Sequence, residues 1–141
     1  MKRICLFLLT IILTQASFAQ FNATLTGNPI VTTGWTYGGN SFINGAAFTL
    51  TNPVTAQAGY IYYSTPTNLT SCGQFTVDFD FQVIPPAGCL ADGIAFWYIS
   101  NPPSGFIPGG GIGLPNDPNG LLLILDTYDN NGNFDNPLAT L

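Results

Sequence analysis

The chain has 141 residues, of which 46% are apolar and 13% aromatic, while 6% are charged, and its formal net charge is −5. Its two cations are Lys2 and Arg3; seven acidic residues, all Asp, lie between Asp78 and Asp135, and there is no Glu and no His. This balance excludes a nucleic-acid partner, because phosphate binding needs Lys or Arg. It argues equally against an anionic membrane surface. Serine–histidine chemistry is excluded within this chain.

The first element is a leader. Lys2 and Arg3 form a positive start, Ile4 to Leu13 an apolar stretch, and Ser17-Phe18-Ala19 a small-x-small site. The pattern predicts a signal peptide over residues 1–19, too short and wrongly flanked for a membrane anchor. The protein is therefore expected to be secreted or held at the cell surface, without membrane insertion. Residues 20–141 then form one domain, large enough for a core.

Past the leader no helical periodicity appears. Short apolar or alternating runs sit between Gly, Pro, Asn and Thr, the pattern of an all-β chain. "AAFTLT" (46–51) and "AGYIYYS" (58–64) read as early strands. "FTVDFDFQV" (75–83) alternates cleanly, with Phe75, Val77, Phe79, Phe81 and Val83 on one face and Thr76, Asp78, Asp80 and Gln82 on the other. "GIAFWYI" (93–99) and "GLLLILD" (120–126) are apolar on both faces and read as central strands of an antiparallel two-sheet β-sandwich. The chain closes on "PLATL", which looks like the start of another strand, so the domain is expected to be incomplete at its C-terminal side.

Cys72 and Cys89 precede the strands expected at 75–83 and 92–99. In an antiparallel hairpin these two starts lie at opposite ends, beyond disulfide reach at ~3.3 Å per residue. Burial of two small side chains, or pairing outside the chain, remains the alternative to a bridge. "NAT" at 22 and "NLT" at 68 are glycosylation sequons where the host modifies Asn.

The segment from Asp126 to Pro137, "DTYDNNGNFDNP", holds three Asp and four Asn, more than an ordinary turn uses. Hard oxygen donors without His, Cys or Glu point to Ca²⁺. Asp126 and Asp135 offer carboxylates, Asn130 an amide oxygen, and a backbone carbonyl and water can complete the shell. By composition alone a solvated Asx-rich turn fits as well. The absence of any neutralising cation tips the reading towards metal. An EF-hand is excluded, because it needs flanking helices and a terminal Glu.

Three stretches in this order, "ADGIAFWY" (91–98), "GGGIGL" (109–114) and "LLLILDTYDNNGNFDNP" (121–137), resemble the signature of L-type, legume-like lectin domains. The resemblance runs from about residue 24 to the end. Its metal loop is closest to the animal cargo-receptor branch, and its glycine loop to the plant branch. It implies a lectin jelly roll that is not an enzyme and binds glycans or glycoproteins with calcium. Asp92 would be the sugar-binding carboxylate, following a cis Ala91–Asp92 bond. Gly110, or Gly111 if the loop shifts by one, would offer a backbone N–H to the sugar. Asn130 would serve both Ca²⁺ and sugar; Tyr128 would give its carbonyl to Ca²⁺ and its ring to a sugar face. Asp126 and Asp135 would be the carboxylate ligands. Asp129, Asn131 and Asn136 resemble positions of a second calcium. Ile124 stands where plant members place a glutamate for a transition metal, which argues against Mn²⁺.

Two rival readings carry weight. One is a structural or adhesive sandwich stapled by calcium, which explains the Asp126–Asp135 loop but not Asp92 with the glycines. The other is a jelly-roll glycoside hydrolase using Asp78 and Asp80, spaced roughly 6–7 Å along one strand face. The polar face of a sheet explains that pair more simply. Trp35 and Trp97 are aromatic enough to stack on sugar, but the apolar strand around Trp97 favours a core role.

Overall fold

A computed structural model describes residues 21–70, 74–84, 91–129 and 138–140. Residues 1–20 (which include the expected leader), Cys72, Cys89 and the segment holding Asn130 to Asn136 lie outside the described residues. So do the expectations that fall on them.

The protein is an all-β, antiparallel two-sheet β-sandwich, and the described residues form seven strands. They are β1 (Trp35–Gly39), β2 (Phe42–Asn44), β3 (Ala47–Thr49), β4 (Gly59–Tyr63), β5 (Gly93–Ile99), β6 (Gly120–Asp126) and β7 (Leu138–Thr140). The ladders are β1–β4, β2–β3 and β5–β6–β7, every pair antiparallel. β6 is the central strand of its ladder, as its two apolar faces predict. β5 takes β6 as its ladder neighbour among the described residues. "PLATL" does begin a strand: Leu138 pairs with Asp126 and Thr140 with Ile124.

β2 and β3 form a hairpin that the alternation does not reveal. Asn44 faces Ala47, so the connection is Gly45-Ala46. Gly45 has φ +59°, which suits the first central position of a primed two-residue turn. β1 was also hidden, because Gly38 and Gly39 interrupt its pattern. Its register is nonetheless continuous, from Trp35 opposite Tyr63 to Gly39 opposite Gly59.

The stretch 75–83 departs from expectation. Residues 74–84 join no ladder among the described residues, and all are exposed. The segment meets β5 through its rings instead. Phe75 lies 6.2 Å from Tyr98 and Phe79 lies 6.3 Å from Phe96, between centroids. The hairpin between 75–83 and β5, on which the separation of Cys72 and Cys89 depends, is therefore not a described ladder. Alternation predicts which side chains share a face; it does not supply a neighbouring edge to pair with.

The other face of β5 carries an aromatic layer. Trp97 packs 5.8 Å from Tyr62 of β4 and 6.4 Å from Phe106, and Phe106 stacks on Tyr60. Trp97 is thus a packing residue. Trp35 is held likewise: its indole N–H donates to the Thr24 carbonyl at 3.1 Å, and its ring meets Tyr63 edge-on at 5.5 Å. Among the described residues no helix is long and apolar enough to cross a membrane.

Candidate functional site

Three pieces of chain meet at one end of the β5–β6 ladder. Gly93 opens β5 opposite Asp126, which closes β6. One residue further out, the Thr127 N–H donates to the Asp92 carbonyl at 3.0 Å. Asp92 and the start of the Asp-rich loop are therefore fixed to each other by backbone, whatever their side chains do. The Ala91–Asp92 peptide bond is cis, as the resemblance implies.

The third piece is the tip of the connection between β5 and β6, residues 100–119, which leaves the ladder at its other end, where Ile99 faces Gly120, and returns to Asp92. The connection is zipped along its length. The Ser100 N–H and hydroxyl both donate to the Asn119 carbonyl, and the Asn101 amide reaches the Asp117 carbonyl at 3.3 Å. Further out, the Asn116 N–H donates to the Ser104 carbonyl at 2.8 Å. The Ile107 N–H then donates to the Leu114 carbonyl at 2.9 Å, and the Gly113 N–H returns to the Ile107 carbonyl at 2.8 Å. The tip, Gly109–Gly111, is a single 3₁₀ turn closed by the Ile112 N–H donating to the Gly109 carbonyl at 2.8 Å. A long loop rarely holds one shape without such internal bonds.

The tip leans on Asp92: a Cβ built on Gly109 would lie 3.9 Å from the Asp92 carboxylate Oδ2. Gly111 has no room for a side chain, because the Ile107 side chain occupies the space, 2.5 Å from where a Cβ would sit. Gly110 is different, with nothing within 4 Å of a Cβ position. Of the two glycines named from the sequence, Gly110 faces open space and Gly111 is packed.

In the Asp-rich loop, the Asp126 Oδ1 accepts the Tyr128 N–H at 2.8 Å, a side-chain-to-backbone turn that starts the loop. Tyr128 is exposed and Asp129 half-buried. Asn130 and Asp135, the remaining two residues of the expected metal set, lie outside the described residues. Among the described residues no group of three His, Cys, Asp or Glu stands together as a metal cage. The donors present, carboxylate and carbonyl oxygen, are the hard type that suits Ca²⁺. The Thr127 hydroxyl, which the sequence reading passed over, is a buried oxygen with no hydrogen-bond partner among the described residues. Its only sequence signal is its place between Asp126 and Tyr128.

Asp78 and Asp80 sit in the exposed segment 74–84, which joins no ladder among the described residues. They are not part of this corner as it is built from β5, β6 and their connection.

The all-β sandwich is consistent with a lectin-type domain, a non-catalytic class. The legume-like lectin family model matches residues 14–141, and the chain belongs to that family. No curated protein matches the sequence.

Proposed function

We propose that the protein is a secreted or cell-surface, calcium-dependent carbohydrate-binding domain whose site is the corner formed by Asp92, the glycine tip and the Asp126 loop. The observation that supports this is the meeting of three chemistries at one end of one ladder. A carboxylate, open backbone N–H groups and an oxygen-rich loop can together pair several sugar hydroxyls. Asp92 accepts from hydroxyls, the Gly110 N–H donates to one, and the exposed Tyr128 ring offers a flat apolar face. Asn130 contributes its amide to the sugar. Asp126, Asp135, the Asn130 amide oxygen and the Tyr128 carbonyl would hold one calcium ion. Bound calcium would fix the loop in one shape, which lowers the ordering cost of binding a glycan. Asp129, Asn131 and Asn136 are the candidates for a second ion. Ile124 offers no ligand for Mn²⁺. The metal-loop sequence resembles that of the animal cargo-receptor branch, which supports a calcium-dependent reading.

The test is glycan-array binding of the exported chain with and without EDTA. Binding that EDTA removes supports the reading. Asp92→Ala should abolish glycan binding and leave calcium binding intact, whereas Asp126→Ala should lose both. Normal glycan binding by Asp92→Ala would overturn the site. No glycan binding, together with melting that depends on calcium, would favour a structural sandwich whose calcium staples the Asp126–Asp135 loop.

A further inference from the structure

The glycine tip can donate to a sugar only if it is held at one height above Asp92. Its own residues cannot do this: three successive glycines carry no side chains and lose the most freedom on ordering. The stem's first backbone bond, from the Ser100 N–H to the Asn119 carbonyl, continues the ladder past Ile99 and Gly120. It does so at the end of β5 away from Asp92 and does not by itself hold the far tip over the sheet. Something nearer the tip must tie the stem to the sandwich.

One side chain does. Phe106 sits one residue before the innermost bonds of the stem, where Ile107 pairs with Leu114 and Gly113. Its ring lies face to face with Tyr60 of β4, at 3.5 Å between centroids and 11° between planes. On β5 it meets Trp97 at 6.4 Å. Tyr60 and Trp97 belong to different ladders, β1–β4 and β5–β6. Phe106 thus joins the loop to both at once. The next residue, Ile107, fills the space that a Gly111 side chain would need, so the anchored stem bears directly on the tip.

We propose that Phe106 is the positioning residue of the glycan site: it sets the place of the Gly109–Gly111 tip over Asp92 without touching the ligand. This inference rests on the carbohydrate-binding reading above. A planar ring is required because Tyr60 presents its flat face to it, while Trp97 meets it at a tilt. An aliphatic residue of similar volume fills the gap but leaves the stem free to slide.

The experiment uses the full exported chain as wild type, Phe106→Ala, Phe106→Leu and Phe106→Tyr. Amide hydrogen exchange reads the loop directly and needs no ligand. In Phe106→Ala and Phe106→Leu, exchange at Ile112 and Gly113 should rise at least about tenfold, while the β5–β6 ladder amides stay protected. Phe106→Tyr should keep the wild-type pattern. Affinity for the glycan bound best by wild type on the array should fall about tenfold or more in the first two variants and recover in the third. Unchanged exchange at Ile112 and Gly113 would overturn the proposal. So would a uniform rise across loop and ladder, because that marks an ordinary packing residue. Selective loosening of the tip in a chain whose wild type binds no glycan would keep the anchor and reject the lectin reading.

Discussion

At the scale of single residues, adjacent glycines do opposite work. The space around Gly110 is open, so Gly110→Ala should change stability by no more than about 0.5 kcal/mol. Its methyl group would nonetheless stand where a sugar must approach, and glycan affinity should fall. Gly111→Ala drives a methyl into Ile107 and should cost about 1–3 kcal/mol through overpacking. Thermal melts and glycan titrations of the two variants separate these effects. If Gly110→Ala bound glycan as wild type does, its N–H would not be the donor. The sequence alone could not make this distinction. It named both glycines by resemblance, and the deciding contact comes from Ile107, a residue whose identity carries no site signal. Asp92 and Gly109 likewise stand far apart in the chain, and no periodicity predicts that they meet.

At the scale of elements, strands with strong side-chain patterns were legible and those built on turns were not. β4, β5 and β6 declare themselves through aromatic and branched residues, and the start of β5 and the end of β6 flank the proposed site. The β2–β3 hairpin depends on the Gly45-Ala46 turn, with Gly at its first central position, rather than on alternation. The opposite error occurred at 75–83, where the clearest alternation in the chain forms no described ladder. A period-2 pattern states a face, while pairing depends on a free edge elsewhere. β1 raises a question that mutation can settle. Trp35 is tied at both ends of its side chain, to the Thr24 carbonyl and to the Tyr63 ring. Trp35→Phe removes the hydrogen bond but retains an aromatic ring, and should cost about 1 kcal/mol of stability. Glycan affinity should be unchanged, because Trp35 packs the N-terminal segment onto β1. A stable Trp35→Phe protein with weakened glycan binding would place Trp35 in the site after all.

At the scale of the whole molecule, charge would decide which glycans the proposed corner accepts. Every cation of this chain lies within its first three residues, inside the expected leader, and the acidic residues Asp92, Asp126 and Asp129 belong to the corner or its loop. A calcium ion would neutralise part of the loop, but it would be surrounded by its own ligands and would not offset Asp92. A sialylated, sulfated or uronate-bearing glycan would therefore bring its anion towards carboxylates with no Lys, Arg or His of this chain to receive it. Like charges brought together in a partly desolvated site repel strongly, and the effect weakens as salt screens it. Neutral glycans should bind, and each acidic counterpart should bind at least about tenfold more weakly at low salt. The gap should narrow at high salt, because only the repulsion is screened. Titration of matched neutral and acidic glycans at two ionic strengths measures this directly. Preference for the acidic member would mean that the ligand is received by something other than the Asp92 corner.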